Sequence, residues 1–233
     1  MDAHNLSQRL LTVASFVEEG ARLADIGSDH AYLPAYLALN GKLSYAVAGE
    51  VVKGPYENAQ HVIRKEGLEN QVVARLADGL AAITEADEID TITICGMGGP
   101  LIVDILSRDP SKLARHPRLI LQPNVGESSV RQWLCQNNYH LENEVILSED
   151  KHTYEILVAN YQSGPQMVLT AQELKYGPYL MTEKNSAFVA KWQAKITKLQ
   201  KVQAQLQKAK EVPTIKMAAL TSEIEEIEAM LYG

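Results

Sequence analysis

Several things are scarce in this sequence, and each scarcity excludes something. Only two cysteines, Cys95 and Cys135, occur in 233 residues. They show neither metal-ligand spacing nor a disulfide framework, so both are expected to be reduced and buried. No run of about 18 apolar residues appears, and Met1-Asp2-Ala3-His4-Asn5 leads into no apolar signal core. Neither a membrane span nor secretion is therefore expected, and the chain reads as cytoplasmic. Basic charge is also short: 22 Lys and Arg stand against 29 Asp and Glu, a net charge of −7. A general nucleic-acid binder would usually be basic. His30, His61, His116, His140 and His152 show no paired spacing, so no metal is expected. No Ser-His-Asp or Cys-His pattern offers a covalent nucleophile.

Against these absences, Leu23-Ala24-Asp25-Ile26-Gly27-Ser28-Asp29-His30-Ala31-Tyr32-Leu33-Pro34 carries the most information. A short apolar run ends in an acid, a Gly-containing turn follows, and then a segment that can start a helix. That order places a nucleotide-type ligand at the carboxyl edge of a parallel sheet. A dinucleotide fingerprint would need G-x-G-x-x-G, but here Gly27 is followed by Ser28, Asp29 and His30. Asp29 would repel a pyrophosphate. The loop suits a ligand with a positive centre and no phosphates, a description that S-adenosylmethionine meets.

Further acids fall at strand ends downstream. Leu43 to Ala48 reads as a second strand closed by Glu50, where a carboxylate can accept ribose hydroxyls. Val72 to Arg75 reads as a third, followed by Ala77-Asp78-Gly79; Asp78 can accept from an adenine amino group, with Gly79 giving the backbone room. Ile89 to Cys95 reads as a fourth, running into Gly96-Met97-Gly98-Gly99. A fifth is expected around Leu119-Ile120-Leu121, with Gln122-Pro123-Asn124 after it either reading a base or forming a plain turn.

Five segments carry a resemblance: Asp25 to Pro34, Gly49 to Ala59, Arg75 to Leu80, Ile94 to Gly99, and Leu121 to Asn124. In these and over nearly its whole length the chain resembles the bacterial tRNA adenine-N1 methyltransferases that act on adenine 22. The resemblance implies a Rossmann-like S-adenosylmethionine domain followed by a helical C-terminal domain, with tRNA as substrate. Cofactor contacts are then expected from Asp25, Gly27, Ser28, His30, Glu50 and Val51. Asp78, Gly79, Cys95, Gly96 and Met97 complete that set.

The patterning agrees with an α/β class I methyltransferase sheet, mostly parallel and ending in an antiparallel hairpin. An opening helix is expected over Leu6 to Val17, and others near 31–40, 53–67, 98–108 and 127–138. Strands near 141–147 and 153–161 leave no room for a helix between them, so they should pair directly. Ser163-Gly164-Pro165 reads as a linker between residues 1–163 and 164–233. Beyond it, Trp192, Ile196, Leu199, Gln203 and Leu206 form one helical stripe, and Met217, Leu220, Ile224, Ile227 and Leu231 another. With Val212-Pro213 between them, an antiparallel coiled-coil-like hairpin is expected. The stripes could also pair between chains, although a monomer is favoured.

Lys191, Lys195, Lys198, Lys201, Lys208 and Lys210 lie between Phe188 and Lys210 with no acid among them. The first three share a helical face. Such a face is either merely solvated or tracks phosphates; a tRNA substrate favours the second and eases the conflict with the net charge. No Asn/Asp-Pro-Pro-aromatic loop occupies Gly96 to Gly99, which suits attack by a ring nitrogen rather than an exocyclic amine. The expected reaction is in-line methyl transfer to an unpaired or flipped adenine. Asp29 is the candidate for stabilising the cationic product, or else for pairing with the cofactor ammonium; Tyr32 and Asn124 are candidate base contacts. A small-molecule methyltransferase and a non-catalytic cofactor-binding protein are the alternatives.

Overall fold

The protein is described from a computed structural model covering residues 1–208 and 213–233. Helix α1 (Gln8–Ser15) precedes β1 (Ala21–Ile26), α2 (Tyr32–Leu39), β2 (Leu43–Glu50), α3 (Lys53–Lys65) and β3 (Val72–Leu76). Next come β4 (Thr91–Gly98), α4 (Gly99–Arg108), β5 (Arg118–Val125) and α5 (Glu127–Gln136). The hairpin is β6 (Tyr139–Glu149) and β7 (His152–Tyr161), joined by Asp150 and Lys151 at φ 49° and 65°. Positive φ at both central residues of a two-residue connection matches the right-handed twist of the paired strands.

Among the described residues these strands form a seven-stranded sheet in the order β3-β2-β1-β4-β5-β7-β6. The first five run parallel, whereas β7 is antiparallel to both β5 and β6. Chain order reverses between β1 and β4, and a crevice opens beyond the carboxyl ends at such a switch point. Central strands are apolar on both sides because helices cover both. Val13, Leu33, Leu37 and Ile63 pack with Leu23 and Ile120 on one face. Ile102, Leu106, Val130 and Leu134 pack with Ile26 and Ile94 on the other.

Some boundaries differ from the expectation. The opening helix is shorter than Leu6 to Val17, although Leu6 and Val17 are still buried beside it. β4 starts at Thr91 and continues through Gly98 with register shifts at Met97, so Gly96-Met97-Gly98 is an irregular strand end rather than a free loop. β5 likewise extends to Val125, which makes Gln122-Pro123-Asn124 part of a strand and not a turn. In both cases pairing with the neighbouring strand overrides local turn chemistry.

After Ser163–Pro165 come two helices that periodicity had not indicated, α6 (Ala171–Tyr176) and α7 (Pro178–Glu183). Six residues are too few to show a 3.6-residue period, but the signals of a start are present. Thr170 and Glu173 cap α6 reciprocally, and Pro178 opens α7. The long helices are α8 (Ser186–Leu206) and α9 (Thr214–Tyr232). They lie antiparallel: Gln193 bonds Tyr232 at 3.0 Å and Gln203 bonds Thr221 at 2.9 Å. Trp192, Ile196 and Leu199 bury against Ile224, Ile227 and Leu231, and Tyr176, Leu180 and Ile146 of β6 join that core. Lys210 and Val212 lie outside the described residues.

A buried charge network ties α8 to the sheet. Arg131 of α5 is fully buried and donates to Glu144 and Glu155, each at 2.6 Å. Lys191 of α8 reaches Glu155 at 2.6 Å and Glu127 at 2.7 Å. Burial opposes the charge of Glu127, but Lys191 outweighs it and holds this carboxyl below its ordinary range.

Candidate active site

At the carboxyl edge of β1 and β4 the structure encloses a cleft of about 310 Å³. Asp25, the last acid of β1, lies beneath it at 3% exposure. Ser28 Oγ donates to one carboxylate oxygen at 2.5 Å and Thr93 Oγ1 to the other at 2.6 Å. Burial pushes Asp25 up to about 6; the two hydroxyl donors only partly offset the cost of taking its charge out of water.

The turn after β1 is unusual. Gly27 sits at φ +71°, and a side chain there would meet the Met97 methyl at 2.0 Å. Asp29, His30 and Ala31 follow at φ 38°, 70° and 57° before α2 begins. Three successive left-handed residues are costly for side-chain-bearing positions and need outside support. Glu50, buried at the end of β2, supplies it by accepting the Asp29 N–H. Gly49 carbonyl accepts the Gly27 N–H at 2.9 Å. The Asp29 side chain, 70% exposed, thereby projects at the rim of the cleft.

On the opposite wall, Gln122 and Asn124 hold the end of β4. Gln122 Oε1 accepts the Gly96 N–H at 3.0 Å, and Asn124 Nδ2 donates to the Gly96 carbonyl at 2.8 Å. Asn124 Oδ1 accepts from Gln122 Nε2 at 3.1 Å. Both ends of the Asn124 amide are thus engaged in positioning Gly96. Just beyond, a side chain at Gly99 would strike the Gly126 carbonyl at 2.1 Å, so only glycine lets α4 start this close to β5. Cys95 has its thiol pushed up by burial, which leaves it no thiolate character.

Of the candidates from the sequence, Asp25, Gly27, Ser28, Asp29, Cys95, Gly96, Met97 and Asn124 line this one cleft. His30 and Tyr32 stack beside it, with ring centroids 5.2 Å apart, and His30 Nε2 is 3.3 Å from an Asp29 oxygen. Val51 is exposed on the same edge, whereas Asp78 is drawn away to an ion pair with Arg108. Gly79, at φ +54°, packs against Ile105. The lysines divide. Lys191 is half-buried in the charge network, so it is not part of a free lysine face; Lys195 pairs with Glu223 at 3.1 Å, and Lys198 is exposed. A groove of about 600 Å³ runs along α8 past Lys195 and Lys198 and reaches Asn124.

Met1, Leu10 and Leu33 also line the cleft, together with two residues with polar groups that were not among the candidates, Arg9 and Tyr154. The Arg9 guanidinium donates to Gln122 and lies 5.2 Å from the Tyr154 ring centroid. Glu149 accepts the N–H groups of Gln8 and Arg9 at 2.6 and 3.2 Å, fastening α1 to β6. A signal existed: Arg9 is the sole charged residue from Leu6 to Val17. Nothing local to Tyr154 marked it.

Comparison with known proteins agrees with this fold. A family model described as tRNA (adenine(22)-N(1))-methyltransferase matches residues 23–229. The tRNA (adenine(22)-N(1))-methyltransferase of Bacillus subtilis is 43% identical over 212 residues, covering 90% of this chain and 89% of that protein. A Streptococcus pneumoniae protein provisionally assigned as a tRNA (m1A22) methyltransferase, solved in complex with S-adenosyl-L-methionine, superimposes with a TM-score of 0.88 at 42% identity. That match covers 98% of this chain and 100% of that one. The M. capricolum TrmK bound to S-adenosylhomocysteine gives a TM-score of 0.86 at 30% identity, with 98% of each chain covered. The chain belongs to the tRNA (adenine(22)-N(1))-methyltransferase family.

Proposed function

We propose that this protein methylates N1 of adenine 22 in tRNA, with S-adenosylmethionine held in the cleft between β1 and β4. The observation that carries the reading is family membership across residues 23–229 in a chain whose carboxyl edge has this cleft. The residues present fit the cofactor. Asp25 and Asp29 favour a positively charged ligand over a phosphate, and glycine at position 27 permits both the left-handed turn and the close approach of Met97. Bound there, the cofactor supplies an electrophilic methyl group.

The chain's own contribution is positioning and charge. Glu50 holds the Asp29 turn and presents its second carboxylate oxygen for a ribose hydroxyl. Adenine N1 has a lone pair when neutral, so no general base is required before attack. Once alkylated, the ring is cationic. Asp29, at the rim, stabilises that charge and accepts from N6, while Tyr32 offers a face for stacking the base. Gln122 and Asn124 act on the reaction by fixing Gly96 rather than by reading the base. The base must leave any helix to reach this site, at a cost of a few kcal/mol.

Residues 1–163 serve in this reading as the catalytic unit, and 164–233 as the part that steers tRNA. Lys195 and Lys198 line the groove that leads to Asn124, and they are the assigned phosphate contacts. The apolar stripes of α8 and α9 cover each other within one chain, which favours a monomer. Among the described residues no helix is long and apolar enough to cross a membrane, and the reaction is assigned to the cytoplasm, where tRNA is processed.

The test is methyl incorporation from labelled S-adenosylmethionine into unmodified tRNA transcripts carrying adenine or guanine at position 22. Label as N1-methyladenosine in the first only is the expected result. Equal labelling of both, or of neither despite cofactor binding, would overturn the proposal.

A further inference from the structure

An aromatic pocket lies at the amino edge of the sheet, opposite the cleft, where β5 and β6 begin and β7 ends. It encloses about 380 Å³, and none of its residues lines the cleft or the α8 groove. Four rings line it, those of His116, Trp133, Tyr139 and Tyr161. Trp133 Nε1 donates to Ser107 Oγ at 2.8 Å, which fixes the indole and ties α5 to α4. Tyr139 lies alongside Trp133 and edge-on to Tyr161, with centroids 5.8 Å apart in each pair. His116 stacks on Tyr161 at 3.5 Å. Tyr139 is only 2% exposed, yet its hydroxyl has no hydrogen-bond partner among the described residues. Burial pushes its pKa up, so the group stays a neutral hydroxyl whose oxygen can accept.

The surroundings favour positive charge. No lysine or arginine lines the pocket, and no carboxylate does. Ser107 comes from the last turn of α4, and Trp133 and Gln136 come from that of α5. The carboxyl end of a helix carries about half a negative charge. The last turn of α5 has no basic residue to offset it, and Arg108 of α4 is paired with Asp78 and Asp104. Ring faces add attraction for a cation within about 6 Å of their centres. An adjoining hollow shares His116 and is lined by Glu18, Glu19 and Asp90. Arg118, which also lines it, pairs with Glu18 and Glu142, leaving Glu19 and Asp90 without a cationic side chain among the described residues. We propose that this pocket binds an aliphatic polyamine: one ammonium lies among the rings and donates to the Tyr139 hydroxyl oxygen, and the next faces Glu19 and Asp90 past His116. A monoamine leaves the acidic hollow unused, and a divalent metal ion finds no carboxylate among the rings.

The experiment is calorimetric titration of the full-length protein, without tRNA and in magnesium-containing buffer, with putrescine, butylamine and the uncharged diol counterpart of putrescine. Putrescine should bind wild type at one site, more tightly than butylamine, and the diol should not compete. Tyr139→Phe keeps the ring and should weaken putrescine about tenfold, as expected for a hydrogen bond to a charged group. Its melting temperature should hold or rise, because the change removes only a hydroxyl that has no partner. Glu19→Gln should weaken putrescine about threefold and leave butylamine unchanged. Equal binding of putrescine by wild type and Tyr139→Phe would overturn the proposal and reduce the effect to attraction by surface acids. A diol that binds as tightly as putrescine would overturn it in favour of an uncharged ligand. Absence of putrescine binding to wild type at millimolar concentration would overturn it outright.

Discussion

Two sets of buried acids lie within one sheet, and they are treated in opposite ways. At the interface between α5, the β6–β7 hairpin and α8, Glu127, Glu144 and Glu155 are bonded directly to Arg131 and Lys191. At the cleft, Asp25 has only the hydroxyls of Ser28 and Thr93, and its carboxyl is raised to about 6. The first set spends its charge on holding the helical region against the sheet. The second keeps its charge poorly compensated, which costs stability and leaves a field to which a cationic ligand responds. A carboxylate's use in this protein is thus read from its partners and not from its burial.

The sharpest way to break that comparison is to remove the cation at the interface. Arg131→Met leaves Glu144 buried without a cationic partner and Glu155 with Lys191 alone, and should lower unfolding free energy by about 3–5 kcal/mol. Urea denaturation measures it, and S-adenosylhomocysteine affinity at low temperature should stay near wild type. A loss of ligand affinity equal to the loss of stability would merge the two regions into one. At the cleft, Asp29→Asn should slow single-turnover methyl transfer by about 10²- to 10³-fold, the range for removing a preorganised charge. Its melting temperature should scarcely move, because the Asp29 side chain is exposed.

The Asp25 carboxyl gives a pH test whose sign is fixed. Its folded pKa of about 6 stands above the ordinary 3.8, so folding favours the protonated form. The benefit is complete below the ordinary value and is lost as pH rises through the folded one. Relative to Asp25→Asn, the wild-type protein should therefore lose about 2 kcal/mol of stability between pH 4 and pH 6, and about 3 kcal/mol over the whole range from pH 2 to pH 8. A stability difference that stays flat with pH would mean a cation already neutralises Asp25 in the free protein.

Smallest is the effect of separating the lysines. Lys198→Ala should lower the slope of log affinity for tRNA against log salt by about 1, measured by fluorescence anisotropy. Lys191→Ala should leave that slope unchanged and destabilise the fold instead, since its ammonium is already held by Glu127 and Glu155. A salt slope reduced equally by both would return Lys191 to the tRNA-facing surface.

How far sequence reading reached depends on whether the cause was local. The β1 turn was legible because an apolar run, an acid and a glycine are adjacent in the chain. The α8 and α9 stripes were legible because their period persists over five turns. α6 and α7 were too short to register a period, and Gln122 to Asn124 looked like a turn because the pairing that extends β5 comes from β4. Lys191 looked like its neighbours Lys195 and Lys198, since nothing within α8 reveals that Glu127 and Glu155 face it. Arg9 was visible as a lone charge, but its meaning lay with Gln122, Tyr154 and Glu149, more than 100 residues away.

What the sequence determined by itself was the alternation of strand and helix, the acids at strand ends and the helical tail, because periodicity, capping and turn chemistry act between near neighbours. Only the tertiary structure decided which acids are consumed and which remain for a ligand. That outcome depends on the groups a fold brings within about 3 Å, where desolvation and direct pairing outweigh anything set by position along the chain.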